Sequence, residues 1–470
     1  MFCIINEVAM DTRANSASAR DIAYHVHGYT NLKKHEEVGP HIIESGSGIR
    51  VTDDNGKSYI EGLAGLWCTS LGFSEERLIN AAMAEFKRLP YYHGFAGRTP
   101  DITIELAERL VKMAPVPMSK ALFANSGSEA TDLSLKLVWY YHNAIGKPEK
   151  KKIISRIKGY HGVTVASASL TGLPHLHAEF DLPIDRIMHT SCPHYYRFGE
   201  DGESEEDFAT RCATDLEELI EREGGDTIAA FYAEPVMGAG GVLVPPKTYF
   251  EKIQKILKKH DILLMADEVI CGFGRTGNMW GTTTFDMKPD MITMAKALSS
   301  SYLPISALLI NDKIYQAMVG QSEKLGLFGH GGTYAGHPVA AAVALETLNI
   351  YEERDIVGHV QKMAPLLQDA LRALADHPLV GEVRGVGLIA GVELVKNKET
   401  RESFDPKLGV GAKCQAFTME NGLIIRAVGD TLAFCPPLII NEAEITEMIA
   451  SFTTGLEQTL TWVKEEGLQA

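Results

Sequence analysis

The sequence predicts an α/β fold with one large, mostly parallel sheet and a smaller α+β lobe formed by both ends of the chain. Runs that are apolar throughout alternate with helical patterns in the middle of the sequence, and the C-terminal part changes to glycines between short apolar pieces. Uniformly apolar strands are buried on both faces, which is typical of parallel sheets covered by helices. The alternation of strands with helices favours the same architecture.

The predicted elements follow the chain in order. A hairpin is predicted over Ile49–Gly62, because Asp54-Asn55-Gly56 is a turn sequence. The predicted strands of the large sheet are Ala121–Ala124, Ile153–Ile157, Ile228–Ala233, Ile262–Ala266, Met291–Met294 and Ser306–Ile310. Helices are predicted over Glu129–Asn143, Glu251–Lys259, Val410–Asn421 and Glu442–Val463, and a further strand over Leu423–Arg426.

These elements divide the chain into three predicted parts. Residues 1–70 form an N-terminal segment with part of the small domain, residues 71–340 the large domain, and residues 341–470 the C-terminal small domain. An acidic run between Glu200 and Asp207 is predicted to be a solvated loop, because it lacks the ligand spacing of a calcium-binding loop.

Composition excludes several functional classes. Asp plus Glu number 61 and Lys plus Arg 45, so the formal net charge of −16 disfavours nucleic acid and anionic membranes as partners. No apolar run approaches the ~18–20 residues that span a bilayer. Seven cysteines are scattered without paired spacing, as in a reduced cytosolic enzyme. We therefore expect a cytoplasmic protein without a metal site.

A glycine motif between Gly272 and Gly277 matches the dinucleotide fingerprint G-x-G-x-x-G. In a dinucleotide-binding fold these glycines open a helix, but the residues that follow, Asn278–Phe285, are poor helix formers. We therefore predict that the motif does not bind NAD. The sequence also lacks the G-x-S-x-G, Walker A and H-E-x-x-H motifs.

Three other segments together indicate a ligand-binding site. Phe123–Ala130 joins a predicted strand to a helix, and its Gly127 and Ser128 suit an anion at the helix N-terminus, although a simple Ser cap explains the segment alone. Asp267 ends a buried strand, where α/β sheets place ligands. Lys296 follows another apolar strand, where desolvation would lower its pKa as a Schiff-base lysine requires.

A phosphate cradle, a buried Asp and a desolvated Lys at strand ends of one sheet match the needs of pyridoxal 5′-phosphate (PLP). In this interpretation Asp267 keeps the pyridine nitrogen protonated, Lys296 holds the aldehyde as an imine, and the helix terminus binds the phosphate.

The sequence resembles the class III, fold-type I PLP-dependent aminotransferases from about Tyr29 to Val463. The segment Leu264–Gly277 is similar to the family signature, and Lys296 stands where the family has its internal lysine. Within the family the chain looks most like the ω-amino acid or amine:pyruvate transaminases. The strings that carry this likeness are Gly62–Cys68, Gly159–Gly162, Ala233–Gly241, Gly332–Pro338 and Gly422–Arg426.

The resemblance implies a role for each matching residue. The implied catalytic residues are Lys296, as Schiff-base lysine and proton shuttle, and Asp267. The implied cofactor-binding residues are Gly127, Ser128, Tyr160, His161, Glu234, Asp267, Val269, Lys296 and Thr333. The implied substrate-binding residues are Trp67, Phe95, Tyr160 and Arg426. In relatives, the Thr that matches Thr333 reaches the phosphate of the second subunit, so a homodimer, or a tetramer, is expected.

The function implied is transfer of an amino group from an ω-amino acid or amine to pyruvate, giving alanine through a pyridoxamine phosphate intermediate. Arg426 would grip the keto-acid carboxylate, and Glu234 would neutralise Arg426 when no carboxylate is bound. Three alternatives stay open. The acceptor could be another keto acid such as 2-oxoglutarate, or the reaction could be a decarboxylation or an internal amino shift. The donor, whether β-alanine, taurine, a diamine or an aryl amine, stays open.

The chain departs from the family pattern in a few places. Ser299-Ser300-Ser301 stands where many relatives carry glycine, and Ala96 stands where some amine transaminases place a second aromatic residue, which leaves a roomier pocket. Arg98 is assigned to the loop surface. Met10 is a candidate natural start, because the nine residues before it carry no family resemblance.

Overall fold

The computed structural model describes residues 15–468, so Met10 lies outside the described residues. The helices are α1 (Ala17–Tyr24), α2 (Leu32–Val38), α3 (Ala64–Trp67), α4 (Glu76–Arg88), α5 (Asp101–Met113), α6 (Gly127–Ala144), α7 (Val165–Leu170), α8 (Tyr195–Phe198), α9 (Glu205–Glu223), α10 (Tyr249–Lys259), α11 (Gly281–Thr284), α12 (Asp312–Leu325), α13 (Pro338–Glu353), α14 (Ile356–Arg372), α15 (Val410–Glu420) and α16 (Glu442–Glu465). The strands are β1 (Ile43–Ser47), β2 (Arg50–Asp53), β3 (Ser58–Glu61), β4 (Lys120–Ala124), β5 (Lys152–Arg156), β6 (Ile187–Thr190), β7 (Ile228–Ala233), β8 (Leu263–Asp267), β9 (Met291–Met294), β10 (Ser306–Ile310), β11 (Val380–Val386), β12 (Ile389–Leu394), β13 (Leu423–Ile424), β14 (Arg426–Val428) and β15 (Thr431–Phe434).

A seven-stranded sheet forms the centre of the molecule, in the order β4-β10-β9-β8-β7-β5-β6. Neighbours from β9 to β6 run parallel, whereas β10 is antiparallel to both β9 and β4. The sheet is therefore mostly parallel, as predicted. Asp267 on β8 pairs in register with Thr293 on β9, which places the ends of these two strands at the same edge.

Helices cover both faces of this sheet. On one face Leu133 and Leu137 of α6 pack with buried strand residues such as Ile153 and Leu263. On the other face Leu216 of α9 and other apolar helix residues join a larger buried cluster. Because both faces are covered, all residues of β7 to β10 are buried, which explains their uniformly apolar sequence.

The two ends of the chain meet in the smaller lobe. A four-stranded sheet has the order β1-β2-β3-β13, and β13 from the C-terminal part runs parallel to β3. A second sheet, β11-β12-β15-β14, comes entirely from the C-terminal part. The smaller α+β lobe therefore contains both ends of the chain, and the residue boundaries of the domains stay a prediction.

Two predicted elements need correction. The strand predicted over Leu423–Arg426 is interrupted at Ile425, because β13 pairs with β3 whereas β14 pairs with β15 in the other sheet. The acidic run is also only partly a loop. Ser204 caps α9, and the acidic residues that follow fill the first turn of this helix, where the helix dipole favours negative charge.

The segment Gly272–Gly277 consists of turns and opens no helix. Arg275 is buried there and donates hydrogen bonds to the carbonyl oxygens of Leu388 and Pro436 in the smaller lobe. This arrangement joins the two lobes and differs from a strand-to-helix dinucleotide turn.

Within residues 15–468, no helix combines the length and the apolar character that crossing a membrane requires.

Candidate active site

The polar residues singled out in the sequence meet at one edge of the large sheet. Asp267 is the last residue of β8, and Lys296 follows the end of the neighbouring strand β9 by two residues. The first turn of α6 reaches the same edge, because a Cβ atom on Gly127 would lie 3.2 Å from Cγ1 of Val269 and 3.7 Å from Cβ of Ala295.

Both carboxylate oxygens of Asp267 have hydrogen-bond partners. Nδ1 of His161 lies 2.8 Å from Oδ2, and the backbone N–H of Val269 donates to Oδ1 over 3.0 Å. Asp267 and His161 are both buried, with 6% and 3% of their surface exposed. The pair thus holds the Asp267 carboxylate in one orientation inside the protein.

Lys296 begins a short 3₁₀ turn with φ of 50° and is half-buried. Burial lowers the pKa of its ammonium group, although the negative charges of Asp267 and Glu234 and the thiol of Cys68 act in the opposite direction. A lysine with a lowered pKa is more readily a neutral amine, which is the form that attacks a carbonyl and accepts a proton.

Ser126 caps α6 by accepting a hydrogen bond from the N–H of Glu129 over 3.2 Å. The first N–H groups of a helix have no partner inside the helix, so the position of Gly127 and Ser128 suits the binding of an anion. Oγ of Ser128 accepts a hydrogen bond from the N–H of Val163 over 3.1 Å. The close approach of Val269 leaves little room for a side chain at Gly127.

Tyr160, which precedes His161 in the chain, is hydrogen-bonded to Glu234. The backbone N–H of Tyr160 donates to Oε1 of Glu234 over 2.9 Å, and the N–H of Gly238 donates to Oε2 over 3.1 Å. Burial raises the pKa of the Glu234 carboxyl group. Glu234 forms no salt bridge with Arg426 in residues 15–468, so the neutralisation implied by the resemblance is absent from this conformation.

Arg426 lies at the start of β14 and is half-buried. Its guanidinium carbon is 5.9 Å from the ring centroid of Tyr29, and the hydroxyl of Tyr29 is 3.3 Å from that of Tyr160. Burial and the Tyr29 hydroxyl raise the pKa of Tyr160, while the positive charge of Arg426 acts to lower it. Arg426, Tyr29 and Tyr160 therefore form one group.

Trp67 is 3% exposed and ends a turn with unusual backbone geometry. Its φ is 63°, and its Nε1 atom is buried without a hydrogen-bond partner among the described residues. Trp67 packs with Leu63 and Ile270 in a small apolar cluster, and its neighbour Cys68 is close enough to influence Lys296.

Phe95 and Thr333 lie on two loops that contact each other. The ring of Phe95 is 2.7 Å from the position of a Cβ atom on Gly331, and the hydroxyl of Tyr91 donates to the carbonyl oxygen of Thr333 over 2.9 Å. Phe95 is 42% exposed and Thr333 is also exposed. No hydrogen bond, ion pair or ring contact of residues 15–468 joins Phe95 or Thr333 to Lys296 within the chain.

Sequence reasoning missed Tyr29 as a neighbour of Arg426 and Glu61 as a buried acid. Tyr29 gives no local signal, because it is 60% exposed and reaches Tyr160 only through the fold. Glu61 ends β3, and a carboxylate at the end of an apolar strand could have been recognised by analogy with Asp267.

The residues at this edge fit PLP. The Asp267 carboxylate suits a protonated pyridine nitrogen, the start of α6 suits a phosphate, and Lys296 suits an aldehyde. The orphaned Nε1 of Trp67 and the narrow gap between Gly127 and Val269 also indicate that the site is built around a ligand.

Fold and site together define a PLP-dependent transferase on a mostly parallel sheet. Residues 32–456 match the family model of class III aminotransferases, which is most of the chain. The protein therefore belongs to the class III aminotransferase family, whose members use PLP, and it is an enzyme of the transferase class.

Among the relatives of this chain are γ-aminobutyrate transaminases of plants. γ-Aminobutyrate transaminase 1, mitochondrial, of Solanum lycopersicum is 51% identical over 430 residues, which are 91% of this chain and 84% of that protein. The mitochondrial γ-aminobutyrate transaminase 1 of Oryza sativa subsp. japonica is 52% identical over 424 residues, 90% of this chain and 82% of that protein.

Among the solved structures of similar fold are transaminases. The omega transaminase of Pseudomonas jessenii in complex with PMP is 55% identical with a TM-score of 0.94, covering 96% of this chain and 99% of that chain. A transaminase with L-alanine is 61% identical with a TM-score of 0.89, covering 90% and 100%. A thermostable omega transaminase variant, changed at a Trp, a Phe and an Arg and engineered for the synthesis of enantiopure bulky amines, is 55% identical with a TM-score of 0.94, covering 95% and 100%.

Proposed function

We propose that this aminotransferase moves an amino group from an ω-amino acid or amine to pyruvate, giving alanine. The observation that carries this proposal is the half-buried guanidinium of Arg426, which stands over Tyr29 without a carboxylate partner in residues 15–468. A guanidinium binds a carboxylate through two parallel hydrogen bonds. A keto acid such as pyruvate supplies that carboxylate.

The hydrogen bonds of Glu234 support the proposal that Arg426 is free to bind a substrate carboxylate. Both oxygens of Glu234 accept backbone N–H groups, from Tyr160 and Gly238, so this carboxyl group is already occupied. Arg426 is therefore available to a substrate carboxylate, and the aromatic pair Tyr29 and Tyr160 borders the same space.

The relatives support the substrate classes. γ-Aminobutyrate is an ω-amino acid, and alanine is the product that pyruvate gives on amination. The omega transaminase engineered for bulky amines was changed at a Trp, a Phe and an Arg that follow one another at the same intervals as Trp67, Phe95 and Arg426. These intervals support assigning the three residues to the amine pocket.

The residues of this chain would divide the chemistry among them. When bound, PLP supplies an electron sink for the carbanion that forms at the donor carbon. We assign Gly127 and Ser128 to the phosphate and Asp267, oriented by His161, to the pyridine nitrogen. Nζ of Lys296, with its lowered pKa, would take the proton from the donor carbon and deliver it to the C4′ carbon of the cofactor.

A homodimer would complete the site, with Thr333 and Phe95 reaching the pocket of the second subunit. The exposure of the Phe95–Thr333 surface within one chain supports this arrangement. Exposed apolar groups that cluster on one face typically mark an interface.

Two half-reactions test the substrate assignment. The enzyme is first converted to its aminated form with γ-aminobutyrate or an aryl amine and is then mixed with pyruvate or 2-oxoglutarate, while the visible absorbance of the cofactor is recorded. We expect pyruvate to restore the starting spectrum fastest. Faster restoration by 2-oxoglutarate would assign the other acceptor, and carbon dioxide release without amino transfer would contradict an aminotransferase.

Replacing Arg426 tests the carboxylate clamp. We expect Arg426→Ala to slow the reaction with pyruvate on the order of 10²-fold, because hydrogen bonds to a charged group contribute ~1.5–3 kcal/mol. The rate of the reaction with an aryl amine should change much less. Arg372→Ala, at an exposed arginine that pairs with Asp369, is the matched control. Equal losses for both substrates would show that Arg426 does not bind the carboxylate.

A further inference from the structure

Three histidines converge on one carboxylate near the start of the described chain. Asp21 lies in α1, His25 and His27 follow that helix, and His35 lies in α2. Nδ1 of His25 is 3.0 Å from Oδ1 of Asp21, and Nε2 of His35 is 3.0 Å from Oδ2. Nε2 of His27 stands between them, 3.0 Å from Oδ1 and 2.8 Å from Oδ2. We call these four residues the N-terminal histidine cluster.

The charge balance of the cluster favours a cation. No Lys or Arg forms a salt bridge with Asp21 among residues 15–468, so only imidazoles surround its carboxylate. The ring of His27 has its centroid 4.5 Å from that of His25 and 4.3 Å from that of His35. Three protonated imidazoles at such distances would repel one another, whereas neutral imidazoles present lone pairs that a metal ion can use.

A second group of similar composition shows the contrast. His194, Glu382 and Glu393 also come together, but the guanidinium of Arg384 bridges both carboxylates at 2.5 Å. The positive charge that this group needs is therefore already present in the protein. Among residues 15–468, no Lys or Arg supplies such a charge to the N-terminal histidine cluster, which distinguishes it from this ion-pair network.

The spacing of the ligand atoms is close to that of a metal site. The ligand atoms of Asp21, His25 and His27 lie within 4.8 Å of one another. Zinc binds His nitrogen and carboxylate oxygen at ~2.0–2.2 Å, so ligand atoms of a tetrahedral site are ~3.3–3.5 Å apart. Moving the atoms apart by a few tenths of an ångström would admit the ion in place of the hydrogen bonds.

We propose that Asp21, His25 and His27 bind a divalent transition-metal ion of the Zn²⁺ class, with His35 holding the second carboxylate oxygen of Asp21. Partners outside the ligand shell commonly fix a ligating carboxylate in this way. The ion would join α1 to the segment that leads into α2. Tyr29 lies within that segment, so the ion would hold the residue that approaches Tyr160.

The test uses the tag-free holoenzyme, stripped of metal with a chelator and titrated with Zn²⁺ by calorimetry and with Co²⁺ by visible absorption. We expect one ion per chain in the wild type. His25 is the residue to change first, because its side chain is 66% exposed and its replacement leaves no cavity in the core. His25→Gln and Asp21→Asn should each weaken binding at least about tenfold, as loss of a ligand does.

His41→Gln is the matched control, because His41 also faces an Asp, with Nε2 3.4 Å from Oδ2 of Asp53, outside the cluster. It should bind the ion as the wild type does. Hydrogen exchange adds a structural measurement: Zn²⁺ should slow exchange in residues 17–38 of the wild type and leave His25→Gln unchanged. No binding by the wild type, equal binding by His25→Gln, or equal loss in His41→Gln would each overturn the proposal.

Discussion

At the scale of single residues, the Asp267–His161 pair shows how burial and hydrogen bonding fix a functional group. An unpaired buried carboxylate is costly, but here one oxygen meets His161 and the other a backbone N–H. The pair keeps the carboxylate in one place without a salt bridge to Lys or Arg among the described residues. A protonated pyridine nitrogen would then be its charged partner.

Replacing either member of the pair should affect turnover to different degrees. Asp267→Asn removes the negative charge opposite the pyridine nitrogen, and we expect kcat to fall on the order of 10²–10³-fold. His161→Gln leaves the charge and the Val269 hydrogen bond, so a loss of about tenfold is expected. Steady-state turnover with γ-aminobutyrate and pyruvate measures both, and circular dichroism controls for folding. A larger loss in His161→Gln than in Asp267→Asn would contradict this ranking.

The sequence predicts such residues only where the signal is local. Asp267 and Lys296 each follow an apolar strand directly, so their type and position were visible in the linear chain. Tyr29 reaches Tyr160 across 131 positions, and no spacing rule predicts that contact. The N-terminal histidine cluster was only partly visible in the sequence. Asp21 and His25 stand one helical turn apart, but His35 joins them only through the fold.

At the scale of elements, the turn from Glu61 to Trp67 fixes the position of the Trp67 side chain. Ala64, Gly65 and Trp67 have φ values of 50°, 66° and 63°, a region that costs ~1–2 kcal/mol for each residue with a side chain. The turn is held by the carboxyl group of Glu61, which accepts the N–H of Leu63 over 2.9 Å. Burial raises the pKa of Glu61 to about 7, against the hydrogen bonds from Leu63 and Gly65.

This raised pKa predicts a pH dependence of stability. Between its ordinary value of 4.5 and about 7, Glu61 keeps a proton in the folded protein that the unfolded chain releases. The free energy of unfolding should therefore fall as the pH rises through this window. In Glu61→Gln the side chain cannot ionise, so the variant should gain about 2–3 kcal/mol relative to the wild type between pH 5 and 8.

Thermal unfolding at several pH values measures this difference. Glu149→Gln, at an exposed glutamate, is the control and should follow the wild type at every pH. A difference between Glu61→Gln and the wild type that stays constant from pH 5 to 8 would show that Glu61 does not titrate in this range.

Strands were predicted well where all of their residues belong to a single sheet. The strands over Ile228–Ala233, Met291–Met294 and Ser306–Ile310 have the predicted ends, because burial on both faces leaves a continuous apolar run. The strand over Leu423–Arg426 was wrong as a single element, because two different sheets compete for its residues. The sequence contains no signal for that division.

At the scale of the whole molecule, the parallel pairing of β13 with β3 brings both ends of the chain to one lobe. Arg426 and Trp67 come after these two neighbouring strands, so the pairing brings residues 359 positions apart into the same lobe. The large sheet contributes Asp267 and Lys296 from its own edge. The candidate site therefore draws residues from both lobes, whereas Phe95 and Thr333 are exposed on the surface of the chain.

Mixed dimers test whether the Phe95–Thr333 surface completes the site of a second subunit. A dimer of the 51.4 kDa chain should first be seen by light scattering. Lys296→Ala and Thr333→Asp, which sets a carboxylate against the phosphate, should each be nearly inactive alone. If Thr333 acts across the interface, a purified mixed dimer has one site with both native residues and should regain about half of the wild-type activity. If Thr333 acts within its own subunit, every site of the mixed dimer carries one defect and activity stays absent. A mixed dimer of wild type with Lys296→Ala provides the reference for a single working site.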